Sequence, residues 1–499
     1  MRRRFFLLAV AGFLGFLLAS ALAVKAVARQ QSIKISVNNS QIPKTMKWHR
    51  YVSDQNAAQF AWQTFVALNW PANDHGEPLT RSNDPDGMLI GESQNSRRVW
   101  EFFRNPDDEV FLVTGEDPSD PRNVCDALLE EHPELREKLV DVDTCVAETY
   151  EGLGPIESIW KGGEFLADIA QAEADNSSHS SIIQPLIDQQ QNFVIYDVRI
   201  NQDEFQQIVD DGLYNTHLYH PDNSSNDFQF KAHSGSDEEA AVSPMELKLA
   251  WRVFDDRNSE EEKNTYYKTH KAVCIPARYS ITHEETCKTL ELGLIGFHIA
   301  QKIAWENLDD SVSWVWSTFE HINNLAQDLE SDHIQKIPTL FNPDCEGKYC
   351  SPNQIFNNPE WQGDNNPQWQ NEPPYAQQYL PVQVERSTVS PIQDAAQSAN
   401  ENWQQALKAV NSNSVWQNYQ LIGNEWTAIN NLCNPSQPRT CYSTAGLLNV
   451  AMETYTADQF QNCSSCHLHA KLPDGKTSAD FSFLLRHAAS VELDSISTY

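Results

Sequence analysis

The run Cys463-Ser464-Ser465-Cys466-His467 constrains this chain more than any other feature. Two thiols at C-x-x-C spacing, followed at once by histidine, are the attachment signature of c-type haem. The thiols add across the two vinyl groups of one haem, and the adjacent histidine then lies under the iron as its proximal ligand. A disulfide, a zinc half-site and a thioredoxin-type motif are the competing readings. Zinc needs a second ligand pair, the chain has no second C-x-x-C, and His469 alone does not complete a tetrahedral site. A thioredoxin motif sits beside a βαβ pattern, usually early in its domain, whereas this run lies close to the C-terminus. The expectation is one covalent haem c held by Cys463, Cys466 and His467.

The sixth iron position is less determined. No methionine follows His467. Met452 precedes the motif on an apolar stretch, Asn449 to Thr454, that reads as helix and could fold over the ring. The expected order is Met452, then an open or water-bound site, then His487, which ends the apolar run beginning at Phe481. Methionine ligation gives a higher potential than two histidines.

The rest of the sequence agrees with export. Arg2, Arg3 and Arg4 precede an apolar run from Phe5 to Val24, and Ala21-Leu22-Ala23 or Ala26-Val27-Ala28 fits a cleavage site. Residues 1–28 are a signal peptide or a retained N-terminal anchor, cleavage being the preferred reading and general secretion the preferred route. Of 10 cysteines, two go to haem. The others fall as neighbours: Cys125 with Cys145, Cys274 with Cys287, Cys345 with Cys350, Cys433 with Cys441. In an exported protein these read as local disulfides, each stabilising by about 2–3 kcal/mol. The formal charge of −33 repels nucleic acid and anionic lipid. It suits solubility, and it would also steer a basic periplasmic redox partner.

Periodicity divides the chain into a mainly helical region at 29–180, a β-rich region at 181–345, an Asn/Gln/Pro-rich linker at 346–392 and a haem segment at 393–499. Helices are expected over Asp54–Trp70, Arg97–Phe103, Cys125–Leu139, Gln202–Tyr214, Asp394–Val410 and Ala445–Tyr455. Strands are expected over Phe193–Ile200, Ser243–Phe254, Tyr266–Tyr279, Leu290–Ile303, Ser313–Ile322 and Tyr419–Ile422. Asp222–Ala240 reads as a surface loop. The predicted class is α+β: a helical N-terminal part, an antiparallel β-rich middle, and a small α-helical, cytochrome c-like C-terminal segment.

A second constellation lies on the strands. His298, Glu320 and His321 come close if their strands are adjacent, with Glu246 or Lys248 alongside, and could bind a metal or act as acid and base. Period-2 geometry places Glu320 and His321 on opposite faces, and cross-strand core packing explains them equally well.

The haem motif, with Met245-Glu246-Leu247-Lys248, Gly296-Phe297-His298-Ile299, Trp316 to His321 and Met452-Glu453-Thr454-Tyr455, is similar to large bacterial monohaem cytochrome c family proteins. The resemblance covers most of the mature chain. It implies haem c, a periplasmic location and electron transfer, and it implies no substrate. A haem c enzyme with an open iron (peroxidase-like or oxygenase-like) and a haem-based sensor are the alternative functions.

Overall fold

The computed structural model describes residues 37–47, 54–80, 89–90, 96–131, 186–219, 228–233, 242–275, 280–284, 286–306, 312–325, 338–353, 369–427, 446–456 and 462–490. The apolar run 5–24 and the pair Cys433 and Cys441 lie outside them. The class is α+β, with helices before a large, mainly antiparallel sheet.

The sheet is seven-stranded, in the order β2-β3-β5-β6-β7, with β1 and β4 also on β5. Its strands are β1 (Thr45–Lys47), β2 (Ile195–Ile200), β3 (Met245–Phe254), β4 (Lys268–Ile275), β5 (Thr286–Glu306), β6 (Val312–His321) and β7 (Tyr419–Trp426). At 21 residues, β5 is the spine. Over Glu291–Gly293 it pairs with both β3 and β4, and from Gly296 onward with β3 and β6. β1 adds parallel at its far end.

Alternation along the strands gives the sheet two different faces. Phe297 and Phe319 point to one of them and meet α1 (Asp54–Leu68), where Phe65 stacks on Phe319 at 4.2 Å and meets Phe297 edge-on at 5.6 Å. Trp62 of α1 stacks at 5.9 Å on Trp403 of the long helix Asp394–Val410, and its Nε1 donates to Asn400 at 3.0 Å. Fully buried aromatic side chains of this kind stabilise by about 1.5–3 kcal/mol each, so α1 is held mainly by this packing. Two longer helices, α2 (Pro121–Glu131) and α3 (Gln202–Asp210), and the short turn of helix Pro106–Glu109 precede β3. Asp394–Val410 is α4, and the motif helix Cys463–His467 is α5.

Several expectations change. The segment Ala445–Tyr455 is not a helix in its described part, which forms turns and a short 3-10 helix at Thr454–Thr456. Its polar groups are taken up by the sheet instead of by a helical ladder. The expected surface loop 222–240 contains Phe228 and Phe230, which are buried and pack on each other and on Trp314. The Tyr419 strand runs on to Trp426 and joins the sheet beside β6. The C-terminal segment is therefore built into the sheet, and its described α-helical content is α4 and the five residues of α5. The polar stretch after Cys345 lies against the body through Trp369 and Phe193, 4.7 Å apart, and through backbone bonds from Ala376 to Gln191 and from Val382 to Ile187. Cys345 and Cys350 form a disulfide, Cys125 is disulfide-bonded, and Cys274 stands opposite Cys287 in the β4–β5 register.

Candidate functional site

On the face of the sheet opposite α1, a cavity of about 120 Å3 separates the strands from the Cys463–His467 helix. Cys463, Cys466 and His467 form one wall and Lys248, His298, Ala300 and Trp316 another. Leu447, Leu448 and Glu453 contribute from the covering segment.

The motif helix is fixed at both ends by residues outside it. Asn462 caps it, accepting from the Ser465 amide at 2.8 Å. Glu425 of β7, fully buried, accepts from the amides of Cys463 at 2.6 Å and Ser464 at 2.9 Å and from the Ser464 hydroxyl. A carboxylate placed on free helix-start amides is favoured both by hydrogen bonding and by the local dipole. Burial raises the Glu425 carboxyl above its ordinary range, against the lowering effect of these donors. Sequence reasoning missed Glu425 because nothing local marks a strand residue 38 positions before Cys463 as a cap.

At the other end, His467 Nδ1 lies 2.7 Å from the carbonyl of Phe481. A carbonyl only accepts, so Nδ1 carries the proton and Nε2 keeps its lone pair, the tautomer a metal-bound histidine needs. Burial pushes this imidazole down to about 4, so it is neutral at physiological pH. Phe481 and Asp480 both adopt positive φ, 70° and 50°, which turns the carbonyl toward the ring. That conformation is anchored from the sheet: Lys302 of β5 is paired with Asp480, which also accepts from the Phe230 amide at 2.8 Å. Trp316 and Phe483 flank the imidazole at 5.5 and 5.1 Å.

Cys463 and Cys466 are not joined in a disulfide in this structure. Burial, with Glu425 beside it, holds the Cys463 thiol well above its usual range, so it stays protonated. These residues fit a thioether-linked haem: two thiols not joined in a disulfide, an oriented neutral imidazole and a largely apolar cavity between them and the sheet.

The fold splits the remaining candidates. His298 faces the cavity, its Nε2 buried, without a hydrogen bond, and 3.4 Å from the Glu453 carboxylate. Met452 does not line it. It is fully buried against the sheet, its Cε 3.0 Å from where a Cβ on Gly296 would lie. His487 is also elsewhere, with Nδ1 2.8 Å from Asp107. Glu320 holds the covering segment: it accepts from the Val450 amide at 2.8 Å and is paired with Arg386 at 2.7 Å. Asn449 and Tyr196 help, bonding Thr318 at 2.8 Å and the Ala451 carbonyl at 2.7 Å. His321 lies in the core, stacked on Tyr266 at 3.8 Å, with Nε2 3.0 Å from the Thr265 carbonyl and Nδ1 accepting from Asn323. Of His298, Glu320 and His321, His298 alone lines the cavity. Among the described residues, no group of three or more His, Cys, Asp or Glu is placed to hold a bare metal ion.

No protein-family model, curated protein or solved structure matches this chain. Among the described residues no helix is long and apolar enough to cross a membrane. The functional reading therefore rests on the site itself.

Proposed function

We propose that the chain is an exported monohaem c-type cytochrome. One haem is joined to Cys463 and Cys466, His467 is its proximal ligand, and the protein relays electrons between its large body, or a substrate there, and a periplasmic carrier. The bound group supplies one-electron redox chemistry. The observation that carries this reading is that two thiols at C-x-x-C spacing and an imidazole with only Nε2 left to donate all face one cavity. The disulfides elsewhere fit an oxidising compartment. The net charge of −33 suits a basic partner. Leu468, next to the proximal histidine and 58% exposed, would give that partner an apolar contact near the haem.

For the sixth position we favour His298 over Met452. His298 reaches the cavity from the sheet, whereas Met452 does not line it. The test is the ferric spin state of protein matured with haem. Low-spin iron that turns high-spin in His298→Ala, and stays low-spin in Met452→Leu, is the expected result. High-spin iron in the unmodified protein defeats the His298 assignment. It would favour a haem enzyme with an open iron, a reading motivated by the ionisable side chains Lys248, His298 and Glu453 on the cavity wall.

A further inference from the structure

Behind the cavity the fold buries two carboxylic acids beside each other. Glu246 lines the cavity from β3, and Glu204, in the first turn of α3, is 0% exposed behind it. Asn201 sets them side by side: its Oδ1 accepts from the Glu204 amide at 3.0 Å and from the Met245 amide, next to Glu246, at 3.1 Å. Neither oxygen of Glu204 meets a donor, nor does Oε1 of Glu246. Ionised carboxylates can only accept, so a bond between the two forms only when one of them carries a proton.

The surroundings press the same way. Asp203 of α3 and Asp480 of the segment after the motif add negative charge near the pair. Asp203 is matched by His233 at 2.7 Å, and Asp480 by Lys302. Lys302 is the cation acting on Glu204, and it is committed to Asp480. The Ser482 hydroxyl, also fully buried, is the neutral polar group facing Glu246. Two adjacent buried carboxylates cannot both ionise cheaply, so one proton is retained between them. Burial raises both carboxyls, Glu246 to about 7 and Glu204 further through the charge of its neighbour.

We propose that Glu204 and Glu246 form a proton-sharing pair that gains a proton when the neighbouring haem is reduced and loses it on oxidation. The inference rests on the haem reading above. One electron enters from an external one-electron donor and adds a negative charge to the cavity. One proton from water joins the pair, so charge balances. Oxidation returns both. Glu246, at the cavity wall, is the member through which the proton enters and leaves.

The experiment is a potentiometric titration of the haem-loaded protein across neutral pH. One proton per electron lowers the midpoint potential by about 59 mV per pH unit. Glu246→Gln and Glu204→Gln should each flatten that slope without changing haem content or the visible spectrum. A potential independent of pH in the unmodified protein, or a slope that survives in both variants, overturns the proposal. Should the variants fail to fold, the redox-difference infrared spectrum of the unmodified protein decides. A protonated-carboxyl band that grows on reduction supports the pair, and the absence of such a band overturns it. A purified chain without covalent haem fails the haem reading first. Haem present with a flat potential fails only this proposal.

Discussion

The placement of Met452 gives a quantitative test. This side chain is fully buried, and Gly296 is what makes room for it: a Cβ there would lie 3.0 Å from Met452 Cε, 3.3 Å from Ala250 Cβ and 3.3 Å from Asn449 Oδ1. Met452→Ala removes a packed thioether and leaves a void, which costs about 2–5 kcal/mol. Gly296→Ala overfills the same spot and costs about 1–3 kcal/mol. Because each change relieves the other, the double variant should lose less than the sum, with a coupling of about 0.5–3 kcal/mol. Urea denaturation followed by tryptophan fluorescence, at unchanged slope, measures all three differences. Haem spectra should stay unaltered in all three. Strictly additive losses would show that the two residues do not share the space. A low-spin to high-spin change in Met452→Ala would make Met452 an iron ligand and refute the packing argument altogether.

Other perturbations follow from the same contacts. Glu425→Gln replaces charge-assisted bonds to the Cys463 and Ser464 amides, and should destabilise by about 1–3 kcal/mol and lower the yield of haem-loaded protein, read by denaturation and by haem absorbance per protein. His321 is held down to about 3 by burial, while an unfolded chain binds a proton near its ordinary value. Its contribution is therefore complete above about pH 6.5 and is lost as pH falls toward 3, so urea midpoints should decline over that window. His321→Gln should flatten that decline, and an unchanged acid profile would contradict the assignment.

The sequence exposed local elements well and long-range company poorly. Asp394–Val410 has the bounds its periodicity predicts, and β3 and β6 match within two residues, because each carries its own repeating pattern. The three motif residues stand out by local spacing, and the fold places all three on one cavity wall. What brings His298 to the cavity is the register Lys248–His298–Thr318 across three strands, which no local pattern encodes. Glu425 and Lys302 were hidden likewise: their partners, the motif amides and Asp480, lie tens of residues or more away. The segment around Met452 misled because buried residues on a turn-rich strap give the same apolar density as a helix face. Its backbone is satisfied by Glu320 and Tyr196, which no propensity records.

The most direct measurement is the intact mass of the exported chain after denaturation, compared with Cys463→Ala and with the double change at Cys463 and Cys466. The account predicts the mature chain plus one haem that survives unfolding, and loss of the haem mass when both thiols are removed. A mature chain without haem, or a haem mass that persists in the double variant, would contradict it.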